Sequence, residues 1–334
     1  MISYTLDSLL ESRMLRWSIS IIAALAFVAT NASGQAFPSR PVRIVVPFPA
    51  GGTSDVIARS VTHELERQLG QSFIIDNRGG ANSIIGSEIV AKAAPDGYTL
   101  LHVTAAFAIN PSVYRKLPYQ VEDFLPVTNL ALGEGYLLLV HPSVPVQSVA
   151  ELIALVKNKP KQLAYGSPGV GNTLHLAVEY FDMKAGIALT HVPYKGVAPA
   201  FTALLAGEVQ VMLIPPIISL QQIKAGKVRA LGFSGKTRWK VLPEVPTIAE
   251  AAIPGFYIIG GWHGWFAPAK TPPRIADKIQ SEVHKALQVP KVREYMAEGG
   301  YETDGRSPAE FRKLVQEEVK RYGEIVRATK IEPQ

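Results

Sequence analysis

The chain has 334 residues, no cysteine, and a formal net charge of +6. Without cysteine it forms no disulfide, so its stability must come from a packed core. Its basic residues are scattered, with no run of more than two Lys or Arg, which argues against nucleic acid and favours small anionic solutes as partners.

The N-terminal segment 13–36 is typical of a secretory signal. Two arginines precede the apolar run 17–30, and small residues precede the expected cleavage after Ala36. The run is shorter than the roughly 20 apolar residues that span a bilayer, so we expect a cleaved signal peptide over residues 1–36 and not an anchor. Met14 is an alternative start of translation. No cysteine follows the signal to carry a lipid, so we expect a protein free in the periplasm.

The first half of the remaining chain alternates strands and helices. Strands are predicted at 42–46, 73–75 and 98–103, and helices at 54–69 and 84–94. The helix at 54–69 carries apolar residues at steps of four, and Gly70 ends it. Strand–helix–strand repetition predicts a parallel sheet that helices cover on both faces.

The same alternation starts again in the second half. Strands are predicted at 163–165, 188–192, 209–214 and 228–233, and helices at 149–158, 173–183, 199–205 and 217–225. Three further helices, at 272–287, 291–298 and 308–328, complete the chain. The pattern therefore predicts a second α/β unit.

Two apolar stretches, 137–140 and 256–266, lie where the chain would pass between the two units and return. The sequence thus predicts two hinged α/β lobes around a central cleft. Lobe I comprises residues 37–136 and 261–334, and lobe II comprises residues 137–260.

Two glycine-containing loops each leave a strand and begin a helix: the first loop, Pro47–Asp55, and the second loop, Gly166–Thr173. Glycine lets the backbone approach a ligand closely, and the start of a helix presents unpaired N–H groups, so such a loop can bind an anion. The first loop matches neither the Walker A nor the dinucleotide pattern. A plain helix cap by Thr53 or Ser54 is the alternative for it. One such loop in each lobe favours a carboxylate held from both sides of the cleft.

Catalytic and metal-binding patterns are weak. His63 begins a motif like that of zinc proteases, but Arg67 occupies the position of the second histidine. Ser234 lacks the spacing of a nucleophile elbow. His175 and His191 do not have the spacing of metal ligands, so we predict no metal, no cofactor and no enzymatic activity.

A series of short motifs covers almost the whole chain after the signal. It begins with FPSRPVRIVVPFPAGGTSD at 37–55 and continues, in this order, with DNRGGA (76–81), APDGYTLL (94–101), INPSVY (109–114), KLPY (116–119), HVPYKG (191–196), IKAGKVRAL (223–231) and LPEVPT (242–247). Together these motifs resemble the Bug (TctC-type) receptors, the extracytoplasmic solute-binding proteins of tripartite tricarboxylate transporters. The resemblance implies a two-lobed periplasmic binding protein of the type II-like, Venus-flytrap kind, with two crossover strands.

Members of this family grip one carboxylate with the two loops, mainly through backbone and hydroxyl donors and through waters. Carried over to this chain, the resemblance implies ligand contacts from both loops and from the end of the third strand. The residues are Phe48, Ala50, Gly51, Gly52, Thr53 and Asp55 in the first loop, Ser167, Gly169, Asn172 and Thr173 in the second, His175 just after it, and Thr104 and Ala105 after the third strand.

The chain departs from the family after the strand at 209–214. Relatives often place Asp or Asn there, whereas this chain has Pro215 and then Pro216. Pro215 is predicted to line the site, and no carboxylate remains to pair with a ligand ammonium. We therefore expect a ligand whose far end is neutral or apolar and not an amino acid. Trp262, His263 and Trp265 would add aromatic surface to the site or pack in the core.

The function that the resemblance implies is capture of a small organic carboxylate by a monomer and its delivery to the membrane permease subunits of a tripartite tricarboxylate transporter. Closure on the ligand would follow a population shift, because only the closed form brings both loops to the ligand. Presentation of the ligand to a membrane sensor kinase is one alternative. A secreted hydrolase is another, although no credible pair of nucleophile and base is evident in the sequence.

Overall fold

In the computed structural model, which describes residues 37–328, strands and helices alternate much as the sequence predicts. The predicted signal at 13–36 lies outside the described residues. The strands are β1 Val42–Val46, β2 Phe73–Asn77, β3 Thr99–Thr104, β4 Phe124–Gly133, β5 Leu137–Val140, β6 Ala164–Ser167, β7 Thr190–Pro193, β8 Val211–Ile214, β9 Arg229–Phe233, β10 Trp262–Pro268 and β11 Tyr301–Thr303. The helices are α1 Thr53–Leu69, α2 Ile84–Ala91, α3 Ala106–Val113, α4 Val149–Asn158, α5 Thr173–Ala185, α6 Val197–Ala206, α7 Pro216–Lys224, α8 Ile248–Ala251, α9 Pro273–Gln288, α10 Pro290–Glu298 and α11 Pro308–Ala328.

The first sheet has six strands in the order β11-β4-β10-β3-β1-β2. Strand β1 pairs in parallel with β2 and β3, as the repeated strand–helix pattern predicts. Strand β10 runs antiparallel to both β3 and β4, so the sheet is mixed and not wholly parallel. The carboxyl ends of β1 and β3 consequently lie at one edge of the sheet, where ligands commonly bind in α/β proteins.

The second sheet has five strands in the order β7-β6-β8-β5-β9. Strand β6 is parallel to β7 and β8, while β5 is antiparallel to β8 and β9. Along β5, Leu138 and Val140 belong to one buried cluster, and Leu137 and Leu139 belong to another. Because alternate residues of a strand point to opposite faces, this sheet has a packed core on each side.

Strand β4 was not predicted from the sequence. Its ten residues include Pro126 and the polar pair Thr128 and Asn129, which hide the usual strand pattern. Tertiary contacts supply a partner for each polar side chain: the Thr128 hydroxyl donates to the carbonyl of Arg306 at 2.8 Å, and the Asn129 amide donates to the carboxylate of Asp304 at 2.7 Å. An irregularity in the pairing of β10 with β4 lies beside Pro126. The strand therefore depends on neighbours that lie far away in the sequence.

Two connections join the sheets, between β4 and β5 and between β9 and β10. Ser234 ties them together: its hydroxyl accepts the N–H of Tyr136 at 2.8 Å and donates to the carbonyl of Ile258 at 2.8 Å. Gly133 and Gly260 touch at the same place, and a Cβ on Gly260 would lie 2.5 Å from the Cα of Gly133. Both connections thus pass through one narrow backbone crossing, and Ser234 has a structural role there.

Within the described part, the residues from Arg40 onward form one compact unit. No helix in residues 37–328 combines the length and the apolar content that a bilayer-spanning segment needs.

Candidate functional site

A cleft of about 490 Å³ lies where helices α1 and α5 begin. Strand β1 leads into α1 and strand β6 leads into α5, while Thr104 ends β3 and Pro215 follows β8. The cleft is therefore built at the carboxyl ends of parallel strands from both sheets, which is where the sequence places it. Its lining residues carry no formal charge at neutral pH: Phe48, Pro49, Gly52, Thr53, Ser54, Thr104, Tyr136, Asn172, Thr173, Leu174, Val197, Pro215, Gly261, Trp262, His263 and Tyr301.

Asp55 fastens the first loop from behind. Its carboxylate accepts the N–H of Gly51 at 3.0 Å and the side-chain amide of Asn77 at 3.1 Å. Asn77 also donates to the carbonyl of Phe48 at 3.1 Å. Burial by itself would raise the pKa of Asp55, but hydrogen bonds from Arg59, Gly51 and Asn77 hold that pKa below its usual value. Asp55 is thus an ionised anchor of the loop and is not part of the cleft wall.

The first loop ends in a helix start that no side chain caps. Gly52, the residue before α1, has an extended backbone (φ −81°, ψ 170°). No side chain of the described residues accepts the first N–H groups of α1. The next residue, Thr53, is only 4% exposed, and its hydroxyl is buried without a hydrogen-bond partner in the part of the chain that the structure describes. An unpaired buried hydroxyl is unfavourable unless a ligand satisfies it. The start of α1 therefore presents donors to the cleft.

The second loop ends in a helix start that the chain itself caps. Asn172 Oδ1 accepts the N–H of Leu174 at 3.1 Å and the hydroxyl of Thr173 at 3.3 Å. The Asn172 side-chain amide also donates to Oδ1 of Asn82 at 3.0 Å. Because Asn172 already accepts one of the first N–H groups of α5, that of Leu174, this helix offers a ligand fewer donors than α1 does.

Stacked rings support the second loop. The ring of His191 contacts those of Tyr165 and His175, with centroids 4.8 and 4.2 Å away. His175 Nδ1 accepts the N–H of Gly171 at 3.1 Å, and His191 Nε2 lies 2.6 Å from the hydroxyl of Ser167. Burial lowers the pKa of both histidines to about 4, so both are neutral at neutral pH.

The pair of Ser167 and His191 has the spacing of a nucleophile and its base, but the serine is fully buried. Its hydroxyl also interacts with Gly169 of the loop, as donor to the carbonyl at 3.3 Å and acceptor from the N–H at 3.2 Å. The geometry indicates a support for the loop and gives a substrate no access to the hydroxyl.

Each of the two loops contacts a segment that is distant in the sequence. Asn82, just before α2, receives the hydrogen bond from Asn172, and a Cβ on Gly196 would lie 2.5 Å from Pro49. Asn82 lies in a run of three non-glycine residues, 81–83, with positive φ of 46°, 46° and 77°. Such backbone costs about 1 kcal/mol or more per residue, so surrounding contacts must hold it. Asn110 supplies two of these contacts, to the side chain and the carbonyl of Asn82, each at 2.9 Å.

Seven of the residues predicted for the site line the cleft: Phe48, Gly52, Thr53, Thr104, Asn172, Thr173 and Pro215. The other seven are not in its wall. Ala50 and Gly51 are exposed, Asp55 anchors the loop, Ala105 is buried at the start of α3, Ser167 and His175 face the ring stack, and Gly169 lines a different depression beside Tyr194. This division has one cause: a strand-to-helix turn points only some of its residues at the cleft, and the others hold its shape.

The sequence did not point to several lining residues, chiefly Tyr136, Leu174, Val197, Gly261 and Tyr301. Tyr136 and Gly261 lie at the crossing between the sheets, where the tyrosine hydroxyl accepts the N–H of Gly261 at 2.8 Å. Trp262 and His263, noted as aromatic residues of the return crossing, do line the cleft, whereas Trp265 is fully buried. Gly261, Trp262 and His263 reach the cleft because β10 inserts beside β3, and the sequence pattern does not predict that insertion.

Residues 57–331 match the tripartite tricarboxylate transporter family receptor, TctC. The chain belongs to this family. Among relatives, it is 36% identical over 315 residues to the protein BugT of Bordetella pertussis, with 93% of this chain and 96% of BugT covered. The TctC motifs at 76–81, 94–101 and 223–231 lie within the matched range, so the predicted resemblance is confirmed.

Two solved structures resemble this TctC chain in fold and carry small carboxylates. An R. palustris protein with adipate has a TM-score of 0.85 and 36% identity, and the match covers 89% of this chain and all of that one. MatC from Rhodopseudomonas palustris with bound malate has a TM-score of 0.79 and 33% identity, and the match covers 87% of this chain and all of MatC. The α/β binding-protein fold is thereby confirmed, and the family consists of receptors and not of enzymes.

Proposed function

We propose that this protein captures a small organic carboxylate in the cleft and delivers it to the membrane permease subunits of a tripartite tricarboxylate transporter. The observation that carries the proposal is the uncapped start of α1, where Thr53 has a buried and unpaired hydroxyl. Backbone N–H groups at a helix start and a hydroxyl donor are well suited to a carboxylate. Each hydrogen bond to a charged group contributes about 1.5–3 kcal/mol, so a few of them reach micromolar affinity after ordering costs.

The uncharged lining of the cleft limits the chemical class of the ligand. Among residues 37–328 no Asp or Glu lines the cleft, so a ligand ammonium would lose its hydration without gaining a counter-charge. Pro215, Val197 and Trp262 supply apolar surface to the cleft wall. The proposed ligand therefore has a carboxylate at one end and a neutral or apolar group, or a second acceptor, at the other. The relatives solved with adipate and malate support the carboxylate class.

We assign direct contact with the ligand to the predicted residues that line the cleft, and a supporting role to the others. Thr53 and the backbone of Gly52 would meet the carboxylate, with Thr173 opposite. Asp55 and His175 would keep the two loops in the geometry that this contact needs. The backbone at Gly52 can approach closely because glycine has no Cβ.

Closure would couple binding to delivery. The lobes proposed are 37–136 with 261–334, and 137–260, which together contain the two sheets and the crossing at Ser234. The hydrogen bond between Asn82 and Asn172 joins these lobes and would form only in the closed state. A ligand that needs both loops then shifts the population toward that state, which the permease would recognise. Export through the predicted signal at 1–36 would place the monomeric receptor in the periplasm.

Calorimetric titration with adipate, malate, hexanoate, aspartate and glutamate tests the proposal. We expect at least one carboxylate without an ammonium group to bind at micromolar affinity or better. Aspartate or glutamate binding as tightly as the best of the others would contradict the proposed uncharged far end. Saturable hydrolysis of ester or amide substrates, lost in a variant of Ser167 or His191, would instead support the hydrolase alternative.

A further inference from the structure

Three aromatic side chains connect the interior of the first sheet to the cleft. In the pairing of β10 with β3, Trp265 lies opposite His102, and His263 lies opposite Thr104. Alternate residues of a strand share a face, so all four side chains lie on the same face of the sheet. Of these, Thr104 and His263 line the cleft, while Trp265 and His102 are fully buried.

The indole of Trp265 determines which nitrogen of His102 carries the proton. Trp265 Nε1 lies 3.0 Å from His102 Nδ1, and an indole N–H can only donate. His102 Nδ1 is therefore an acceptor. Complete burial lowers the pKa of His102 to about 3, so the ring is neutral and its single proton lies on Nε2.

His102 determines the proton position of His263 in turn. His102 Nε2 lies 3.3 Å from His263 Nδ1, so the proton on His102 makes His263 Nδ1 an acceptor. Burial and the neighbouring His102 hold the pKa of His263 well below its usual value, so this ring is also neutral. Its single proton must lie on Nε2, the ring nitrogen that His102 does not occupy.

We infer that His263 is a specificity-determining residue whose Nε2–H is a fixed hydrogen-bond donor for an acceptor group of the ligand. The inference rests on the proposed function, since it concerns the same cleft. Trp265 and His102 are positioning residues, because they act only through the tautomer of His263. A ring held in this tautomer favours a carboxylate, carbonyl or ether oxygen at this point. It disfavours an ammonium or another group that can only donate, which is a second reason to expect no amino-acid ligand.

Imidazole nitrogen NMR tests the relay without any ligand. In the ¹⁵N-labelled protein we expect both His102 and His263 to show the Nε2–H tautomer at neutral pH. Replacing Trp265 with Phe removes the indole donor, and the His102 signals should shift toward a mixture of tautomers. An Nδ1–H tautomer of His263 in the unsubstituted protein would overturn the inference.

Titration with adipate or malate, whichever binds more tightly, tests the role in recognition. Because one hydrogen bond to a charged group is lost, His263→Phe should weaken binding roughly tenfold to a hundredfold. His263→Gln keeps an N–H donor near the Nε2 position and should retain most of the affinity. Trp265→Phe should weaken binding about fivefold, as expected for a donor that is present only part of the time.

A matched control is available in the second sheet. Trp239 is also buried, at 2% exposure, its indole N–H has no partner in the described part of the chain, and it is not among the lining residues of the cleft. Trp239→Phe should leave the affinity and the NMR signals of His102 and His263 unchanged. If the unsubstituted protein binds carboxylates and His263→Phe binds them equally well, the inference fails while the proposed function stands. If no carboxylate binds to the unsubstituted protein, the proposed function fails, and a fixed Nε2–H tautomer then remains the test of the relay.

Discussion

The first and second loops are built from the same kind of sequence, yet the tertiary structure gives them different roles. Both leave a parallel strand, contain glycines and begin a helix. Within the part of the chain that the structure describes, no side chain caps the start of α1, whereas Asn172 caps α5. The start of α1 therefore offers a ligand more backbone donors than the start of α5, where Asn172 accepts one N–H, and the second loop also provides the contact to Asn82. Similar motifs in two lobes thus do not imply two similar half-sites.

The two loops also differ in what supports them. An ionised carboxylate, Asp55, holds the first loop through the N–H of Gly51. Neutral imidazoles hold the second, since His175 accepts the N–H of Gly171 and His191 pairs with Ser167. The Asp55 carboxylate is protonated only in acid. Burial lowers the pKa of the two histidines, so they stay neutral well below neutral pH. The supports should therefore respond to pH over different ranges.

The largest effect on binding is expected from Gly52→Val. A Cβ at this position would lie 3.4 Å from the carbonyl of Pro49 and 3.8 Å from the N–H of Ala198, and the two methyl groups beyond it would fill the ligand's place. The extended backbone of Gly52 suits valine, so the fold should persist. Calorimetry should detect no binding, while the circular dichroism spectrum stays unchanged. Undiminished affinity would show that the first loop does not contact the ligand.

The next largest effect separates the hydroxyls of the two loops. Thr53→Val removes a buried hydroxyl that has no partner among the described residues, so affinity should fall roughly tenfold to a hundredfold while thermal stability is unchanged or higher. Thr173→Val removes a hydroxyl that donates to Asn172, so it should lower stability as well. Equal losses of stability in the two variants would contradict the distinction between an open and a capped helix start.

A smaller effect is expected from Asn172→Ser. The serine hydroxyl can still cap α5, but serine has no side-chain amide that could donate to Asn82. Loss of about 1 kcal/mol from the closed state should weaken binding roughly fivefold. Small-angle scattering with saturating ligand should then show a larger open fraction than in the unsubstituted protein. An unchanged open fraction would show that this hydrogen bond does not stabilise closure.

The smallest effect near neutral pH is expected on the free energy of unfolding, through His175 and His191, which support the second loop. The pKa of both His175 and His191 is lowered to about 4, so between pH 6.5 and 4 the unfolded state binds protons that the folded state does not. The free energy of unfolding should therefore fall as the pH drops through this range, by about 1.4 kcal/mol per pH unit for each proton of difference. Asp55, whose pKa is lowered below the usual 3.8, loses its contribution only at still lower pH.

Asp182 changes the free energy of unfolding in the opposite direction on acidification, so a variant without this carboxyl shows the contribution of the histidines more clearly. Burial raises its pKa to about 7, so on acidification the folded state takes up this proton first and gains stability. Asp182→Asn should remove that gain and make the acid-induced loss steeper. Denaturant unfolding at pH 7, 6, 5 and 4 measures the slopes of both proteins. A flat profile in the unsubstituted protein would contradict the neutral state of the two histidines.

Much of the fold could be read from local patterns. The bounds of β1, β5, α4 and α11 agree with the prediction, because apolar periodicity and flanking turn residues are encoded within each segment. Strand β4 and helix α3 were missed, and the antiparallel entry of β10 beside β3 was not predicted. Pro126, Thr128 and Asn129 look unfavourable in a strand until their partners are known.

The sequence by itself determined that two strand-to-helix loops would meet at one cleft, since both loops and the strands before them are local features. Only the tertiary structure decided that the second loop also bonds to Asn82 and which ring nitrogen of His263 carries the proton. Those outcomes depend on Asn82 meeting Asn172, ninety positions away, and on His102 meeting Trp265, 163 positions away. The physical reason is that a donor or acceptor acquires its role from its partner, and sequence spacing does not specify a partner so distant.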